Sequence, residues 1–205
     1  MSNLNALDGA TLNQLDATDL HCMIEKGISS LVAYLTGEYA WNSNNYSNAS
    51  TYGVNVYLSY ETNPTYANYF SAEQGSDDAR AALKALESQN ILPSRGVSGI
   101  AVYFSVDYDV QPADEEKIIA YFNAIVNEFS GTGYSVGMYG GYNPMNSVKN
   151  NCPGVVTFWQ TYAWSDGYIH DYVDLYQYSN DNSICGFSVD YDQAINTSYA
   201  IAPND

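Results

Sequence analysis

The chain has 205 residues, 46% of them hydrophobic, which suffices for one core and points to one domain. Six Lys and Arg stand against 23 Asp and Glu, and the resulting net charge of −17 would repel phosphate backbones and anionic bilayers, excluding nucleic acid and membrane surfaces as partners. No apolar run approaches the roughly 18 to 20 residues that cross a bilayer, and the start of the chain has neither a basic n-region nor an apolar h-region, so a soluble monomer without a targeting peptide is expected.

In chain order, short apolar, β-branched or Tyr-rich runs alternate with segments of helical period. A weak strand is predicted over 4–7, and a helix over 16–26 with Leu20, Met23 and Ile24 inward and Gly27 as terminator. Strands follow over 30–35 and 54–60. The spacing of Ala79, Ala82, Leu83 and Leu86 predicts a helix over 76–88, with Asp77 and Asp78 at its positive end. After a strand over 100–106, a helix follows Pro112, with Ile118, Phe122, Ile125, Val126 and Phe129 on one face. Strands over 134–139, 155–159, 172–177 and 187–190 complete a set of eight, with room for only a short helix between the first two and no legible helix after Gln160. The alternation predicts an α/β fold, a TIM-like (β/α)8 barrel, incomplete or irregular in its second half.

Barrels of this kind work where strands end and loops begin. Acids gather at those places. Asp8 follows the first strand, Glu61 the third, Asp107 and Asp109 the fourth, and Asp190 and Asp192 the last. Strand period two predicts that Asp107 and Asp109 point to one side. Carboxylates held close cannot all ionise freely, so one would keep its proton as a general acid while another assists at the anomeric carbon, the division of labour that glycosidic cleavage requires. For any single acid the alternative is a cap on a helix or turn. Tyr139, Gln160, Trp164, Gln177 and Asp192 are the candidate sugar-binding residues, because sugar rings stack on aromatics while their hydroxyls seek polar groups. Trp159 and Tyr176 are equally readable as core fillers. The 21 Tyr and low charged content (14%) suit the same partner, a polysaccharide.

Other chemistries lack their residues. His21 and His170 are not spaced as metal ligands, no Ser occupies a G-x-S-x-G elbow, and no G-x-x-x-x-G-K is present, so neither metal nor cofactor is expected. Asp-Tyr-Asp lacks the further ligands of a calcium loop. Of three cysteines one stays unpaired if two bridge. A Cys152–Cys185 bridge is allowed, and Cys22, between Leu20 and Ile24, reads as a buried inert thiol.

Nine segments in order resemble a glycoside-hydrolase-like domain family related to the family twenty-five lysozymes. They are Val32-Ala33-Tyr34-Leu35, Tyr60-Glu61 with Gly75 and Asp78-Ala79, the run from Val102 to Asp109, Tyr121-Phe122, Val136-Gly137-Met138-Tyr139-Gly140, Phe158-Trp159-Gln160-Thr161, Ala163-Trp164-Ser165, Leu175-Tyr176-Gln177-Tyr178 and Val189-Asp190-Tyr191-Asp192. The resemblance implies a distorted barrel acting on glycan strands of bacterial peptidoglycan, outside the cell or at the cell wall. The lysozymes carry Asp-x-Glu after the fourth strand with Glu as acid; here Asp109 holds that place, one methylene shorter, so the expected general acid is Asp109 or Glu61, with Asp107 as its electrostatic partner and Asp8 and Asp190 shaping the sugar site. The rival expectation is a carbohydrate-binding barrel that does not cut.

Overall fold

The computed structural model describes residues 5–95 and 98–203. Eight strands close into one barrel, β1 (Ala6–Asp8), β2 (Ser30–Tyr34), β3 (Asn55–Tyr60), β4 (Ala101–Ser105), β5 (Ser135–Gly140), β6 (Val155–Thr161), β7 (Leu175–Ile184) and β8 (Phe187–Ala194). The pairs from β1 to β7 are parallel, whereas β8 is antiparallel to both β7 and β1. Around them lie α1 (Ala17–Glu25), α2 (Ser43–Thr51), α3 (Ala72–Ser88), α4 (Glu115–Phe129) and α5 (Tyr142–Asn151). The first strand is shifted from expectation to end on Asp8; Leu4 lies outside the described residues.

Among the described residues no helix separates β6 from β7, and β7 returns as β8 through a hairpin. Its tip residues Cys185 and Gly186 both have positive φ, 52° and 87°, the backbone that lets two antiparallel strands turn tightly. A hairpin return makes β8 run down the barrel rather than up. Asp190 therefore does not end its strand as expected but lies mid-strand, directly opposite Asp8 in the ladder, while Asp192 faces Ala6 one step deeper.

The barrel interior is filled by alternate residues of successive strands, Val32, Tyr57, Tyr103, Tyr139, Trp159 and Leu175 among them. Tyr103 fills so much of it that β5 needs Gly137 there: a Cβ would lie 2.8 Å from the Tyr103 ring and 2.9 Å from Thr157. A second, larger apolar layer, including Leu7, Leu31, Leu58, Phe104, Phe122 and Phe158, packs between strands and helices. The same alternation carried past Ser59 and Ser105 points to Glu61 and Asp107.

Three local departures have clear causes. Helix α3 begins at Ala72, capped by Ser71, because Gly75 permits close packing on α4, where a Cβ would lie 2.3 Å from the Tyr121 carbonyl oxygen. Helix α2 has no apolar stripe to announce it; the Asn42–Asn45 capping box starts it and Tyr46 and Ala49 bury its inner face. The disulfide joins Cys22 to Cys185, not Cys152 to Cys185, with Cα atoms 6.1 Å apart. Leu20 and Met23 occupy the inward face of α1, which leaves Cys22 half-buried on the flank bridged to the hairpin tip, and Cys152 is the buried thiol. No described helix is long and apolar enough to cross a membrane.

Candidate active site

Asp8 ends β1 and is buried; its carboxyl accepts a hydrogen bond from Gln177 Nε2 at 2.9 Å. Asp190 accepts from the same nitrogen at 3.1 Å and from the Asp181 backbone N–H at 2.9 Å. Like charges opposite each other in a ladder repel. The donors of Gln177 and Asp181 offset that repulsion.

Below them Asp192 is fully buried, and its Oδ1 accepts from Trp159 Nε1 at 2.8 Å. Its other oxygen meets no N–H or O–H donor and lies beside Asp8. Burial, then the Asp8 charge, push Asp192 well above the carboxylate range. Burial likewise lifts Asp8 to about 6.

Glu61 sits just past the end of β3. Burial, then the Asp107 charge, lift it to about 7, against a small lowering by the neighbouring Ser105 hydroxyl. Asp107, half-buried after β4, is raised by burial, and its backbone N–H donates to the Pro64 carbonyl at 3.0 Å, tying the β4–α4 loop to the loop that carries Glu61. Asp190 is also raised by its burial.

Tyr34, at the end of β2, stands among these acids. Burial raises its hydroxyl far above the phenol range, and Asp8, Glu61, Asp190 and Asp107 each add to the shift, so it remains a proton donor. Two hollows meet at Tyr34 and Ala10, one of about 680 Å³ lined by Tyr39, Tyr60, Glu61 and Thr62, the other of about 250 Å³ lined by Asp8, Thr11, Ser188 and Asp190. The first is large enough for a sugar ring. Tyr34 was legible only as part of the Val32-Ala33-Tyr34-Leu35 segment; no charge marked it in the sequence.

The structure thus brings Asp8, Glu61, Asp107 and Asp190 within mutual electrostatic reach over Asp192. Asp109 is not with them. Strand β4 stops at Ser105, so no pleat governs the side chain at 109, and Asp109 is exposed. Tyr139 is buried beneath the acids, its hydroxyl donating to Gln177 Oε1 at 2.9 Å and its ring 4.4 Å from that of Trp159. Gln177 has both ends of its amide engaged in this network.

Gln160 differs from expectation. Its amide is spent on the β6–β7 loop, donating to the Tyr168 carbonyl at 2.8 Å and accepting from the His170 N–H at 3.0 Å. Trp164 lies on that loop, 39% exposed and in a left-handed backbone with φ 53°. No three acids, histidines or cysteines among the described residues are grouped to hold a metal ion.

A family model described as Rv2525c-like, glycoside hydrolase-like domain matches residues 21–194. Among solved structures, the Tat-secreted protein Rv2525c of Mycobacterium tuberculosis, in complex with L-tartrate, is similar with a TM-score of 0.80 at 18% identity, over 98% of this chain and 100% of that one. The catalytic domain of endolysin ply40, from bacteriophage P40 of Listeria monocytogenes, gives a TM-score of 0.60 at 16% identity, over 95% and 93%. At these identities the likeness is one of fold. Uncharacterized protein FadG of Bacillus subtilis (strain 168) is 38% identical over 101 residues, which are 47% of this chain and only 17% of that protein's length.

Proposed function

The chain belongs to the Rv2525c-like glycoside hydrolase-like domain family, and from that premise we propose that it cleaves glycosidic bonds in the glycan strands of bacterial cell wall. The observation that carries the proposal is Glu61, held at about 7 in the wall of a sugar-sized hollow beside Asp107. A carboxyl with that midpoint keeps its proton on about half the molecules at neutral pH and can give it to the leaving oxygen. Asp107, whose carboxyl burial also raises, takes the part of the electrostatic partner that stabilises positive charge growing at the anomeric carbon. Asp8 and Asp190 shape the sugar site, and Tyr34 offers a hydroxyl donor among them. Trp164, exposed on the β6–β7 loop, is the stacking platform for a sugar ring in this reading.

A cell-wall substrate is supported by the fold shared with the endolysin catalytic domain. A site of action outside the cell is supported by the Cys22–Cys185 disulfide, which persists in oxidising surroundings, and by the Tat-secreted relative. The test is digestion of purified peptidoglycan with the sugar products resolved by mass spectrometry. New reducing ends that disappear with Glu61→Gln support cleavage, and their absence with wild-type protein refutes it.

A second reading, a barrel that binds glycan without cutting, draws on one observation. Asp109, at the place of the lysozyme acid, is exposed and apart from the acid cluster. Oligosaccharide binding that survives both Asp107→Asn and Glu61→Gln, with no turnover by the wild type, would select it.

A further inference from the structure

We infer that Asp78 is a positioning residue for Glu61; the inference rests on the proposed role of Glu61 as the acid. Asp78 lies on α3, only 2% exposed, and no cation pairs with it among the described residues. Four donors fill its two oxygens. Tyr60 OH at 3.4 Å and Gln74 Nε2 at 2.9 Å reach Oδ1, while Tyr69 OH at 2.6 Å and Tyr121 OH at 2.7 Å reach Oδ2.

The donors are placed around one point in the chain. Tyr60 immediately precedes Glu61, and Thr62 immediately follows it. The Thr62 hydroxyl lies 2.5 Å from Tyr69 OH. A phenol has one proton, and Tyr69 gives its proton to Asp78, so Thr62 is the donor in that contact. Both chain neighbours of Glu61 are thereby fastened to Asp78, one directly and one through Tyr69.

Gluing α3 to α4 alone would not need this arrangement, because apolar packing of equal volume holds two helices without desolvating a carboxyl group. The hydroxyl bonds do what packing cannot: they fix direction. Tyr69 belongs to a short 3-10 turn, Ala67–Tyr69, in the loop between β3 and α3. That loop carries Glu61 at its start and, at Pro64, the carbonyl that holds the Asp107 N–H. One buried carboxyl thus sets the placement of the acid, and through Pro64 the placement of its partner, to within the roughly 0.5 Å that a catalytic pair tolerates. The sequence segment Gly75 with Asp78-Ala79 gains a purpose by the same account. Gly75 lets α4 approach closely enough for Tyr121 to reach Asp78.

The experiment uses the full chain and three variants of graded severity: Asp78→Asn, Tyr69→Phe and Thr62→Val. Thermal melting reports the fold, carboxyl ¹³C NMR follows the titration of Glu61, and reducing-end release from peptidoglycan gives kcat and KM. Thr62→Val leaves every bond to Asp78 intact and cuts only the bond from Thr62 to Tyr69, the fastening on the far side of Glu61, so it tests the inference even if Asp78→Asn fails to fold. We expect folded Thr62→Val and Tyr69→Phe proteins in which the loop opens to water. The Glu61 midpoint should then fall from about 7 toward 4.5, and kcat should drop about 10- to 100-fold with KM little changed. Folded variants in which Glu61 titrates as in the wild type would overturn the inference. The titration needs no turnover, so failure of the positioning role and failure of the enzymatic reading give different results.

Discussion

Gln177 Nε2 donates to the carboxyl of Asp8 at 2.9 Å, joining residues 169 positions apart in the chain. The same nitrogen reaches Asp190, and the amide oxygen accepts from Tyr139. A neutral side chain thus holds two acids that face each other across the seam where β8 closes the barrel. Gln177→Leu removes both N–H donors and leaves Tyr139 without its acceptor. We predict a loss of about 2 to 3 kcal/mol in urea unfolding, as for buried polar groups stripped of partners, and an upward move of the Asp8 and Asp190 titrations. A variant as stable as wild type would contradict the network.

The buried Asp8 and Asp192 give the fold a pH dependence with a definite sign. Both titrate higher in the folded chain than the ordinary 3.8, Asp8 at about 6 and Asp192 well above. Their contribution is complete below about pH 4 and is lost as pH rises through the folded values. Asp192→Asn keeps an amide donor toward Asp8 and an acceptor for Trp159 but has no proton to lose. It should be more stable than wild type at pH 8, with the advantage fading toward pH 4. Parallel stability curves for the two proteins would show that burial does not raise Asp192.

The disulfide ties the hairpin that carries Asp190 to α1. Reduction, or Cys22→Ser, should cost roughly 2 to 5 kcal/mol, seen as a lower melting temperature. Cys152→Ser, at a buried thiol outside the bridge, should leave the response to reductant unchanged. A melting temperature insensitive to reductant in the wild type would refute the pairing.

The fold was legible where periodicity speaks. All eight strands appear in the sequence as apolar or Tyr-rich runs, because barrel strands are buried on both faces, and α3 and α4 appear as stripes, because covering helices bury one face each. What stayed hidden depends on contacts between distant segments. The reversal of β8 follows from the Cys185-Gly186 turn, and without it Asp190 reads as a strand end rather than the partner of Asp8. Helix α2 is built from Asn and Ser and held by its cap, so no stripe betrays it. Gln160 looked available for sugar because its engagement with Tyr168 and His170 is a loop contact that no spacing encodes. Tyr34 carries no charge, and its place in the site is visible only with the acids around it. Period two places Asp109 with Asp107 only while a pleat lasts, and β4 ends four residues before Asp109.

The most direct test of the central claim, that Glu61 is the proton donor, is the pH dependence of kcat/KM for reducing-end release from peptidoglycan. For the wild type the account predicts a rate that falls as pH rises through about 7, where Glu61 loses its proton. It further predicts a drop of about 10²- to 10⁴-fold in Glu61→Gln and an unchanged profile in Asp109→Ala. An alkaline limb that survives Glu61→Gln at full rate, or that vanishes with Asp109→Ala, would contradict it.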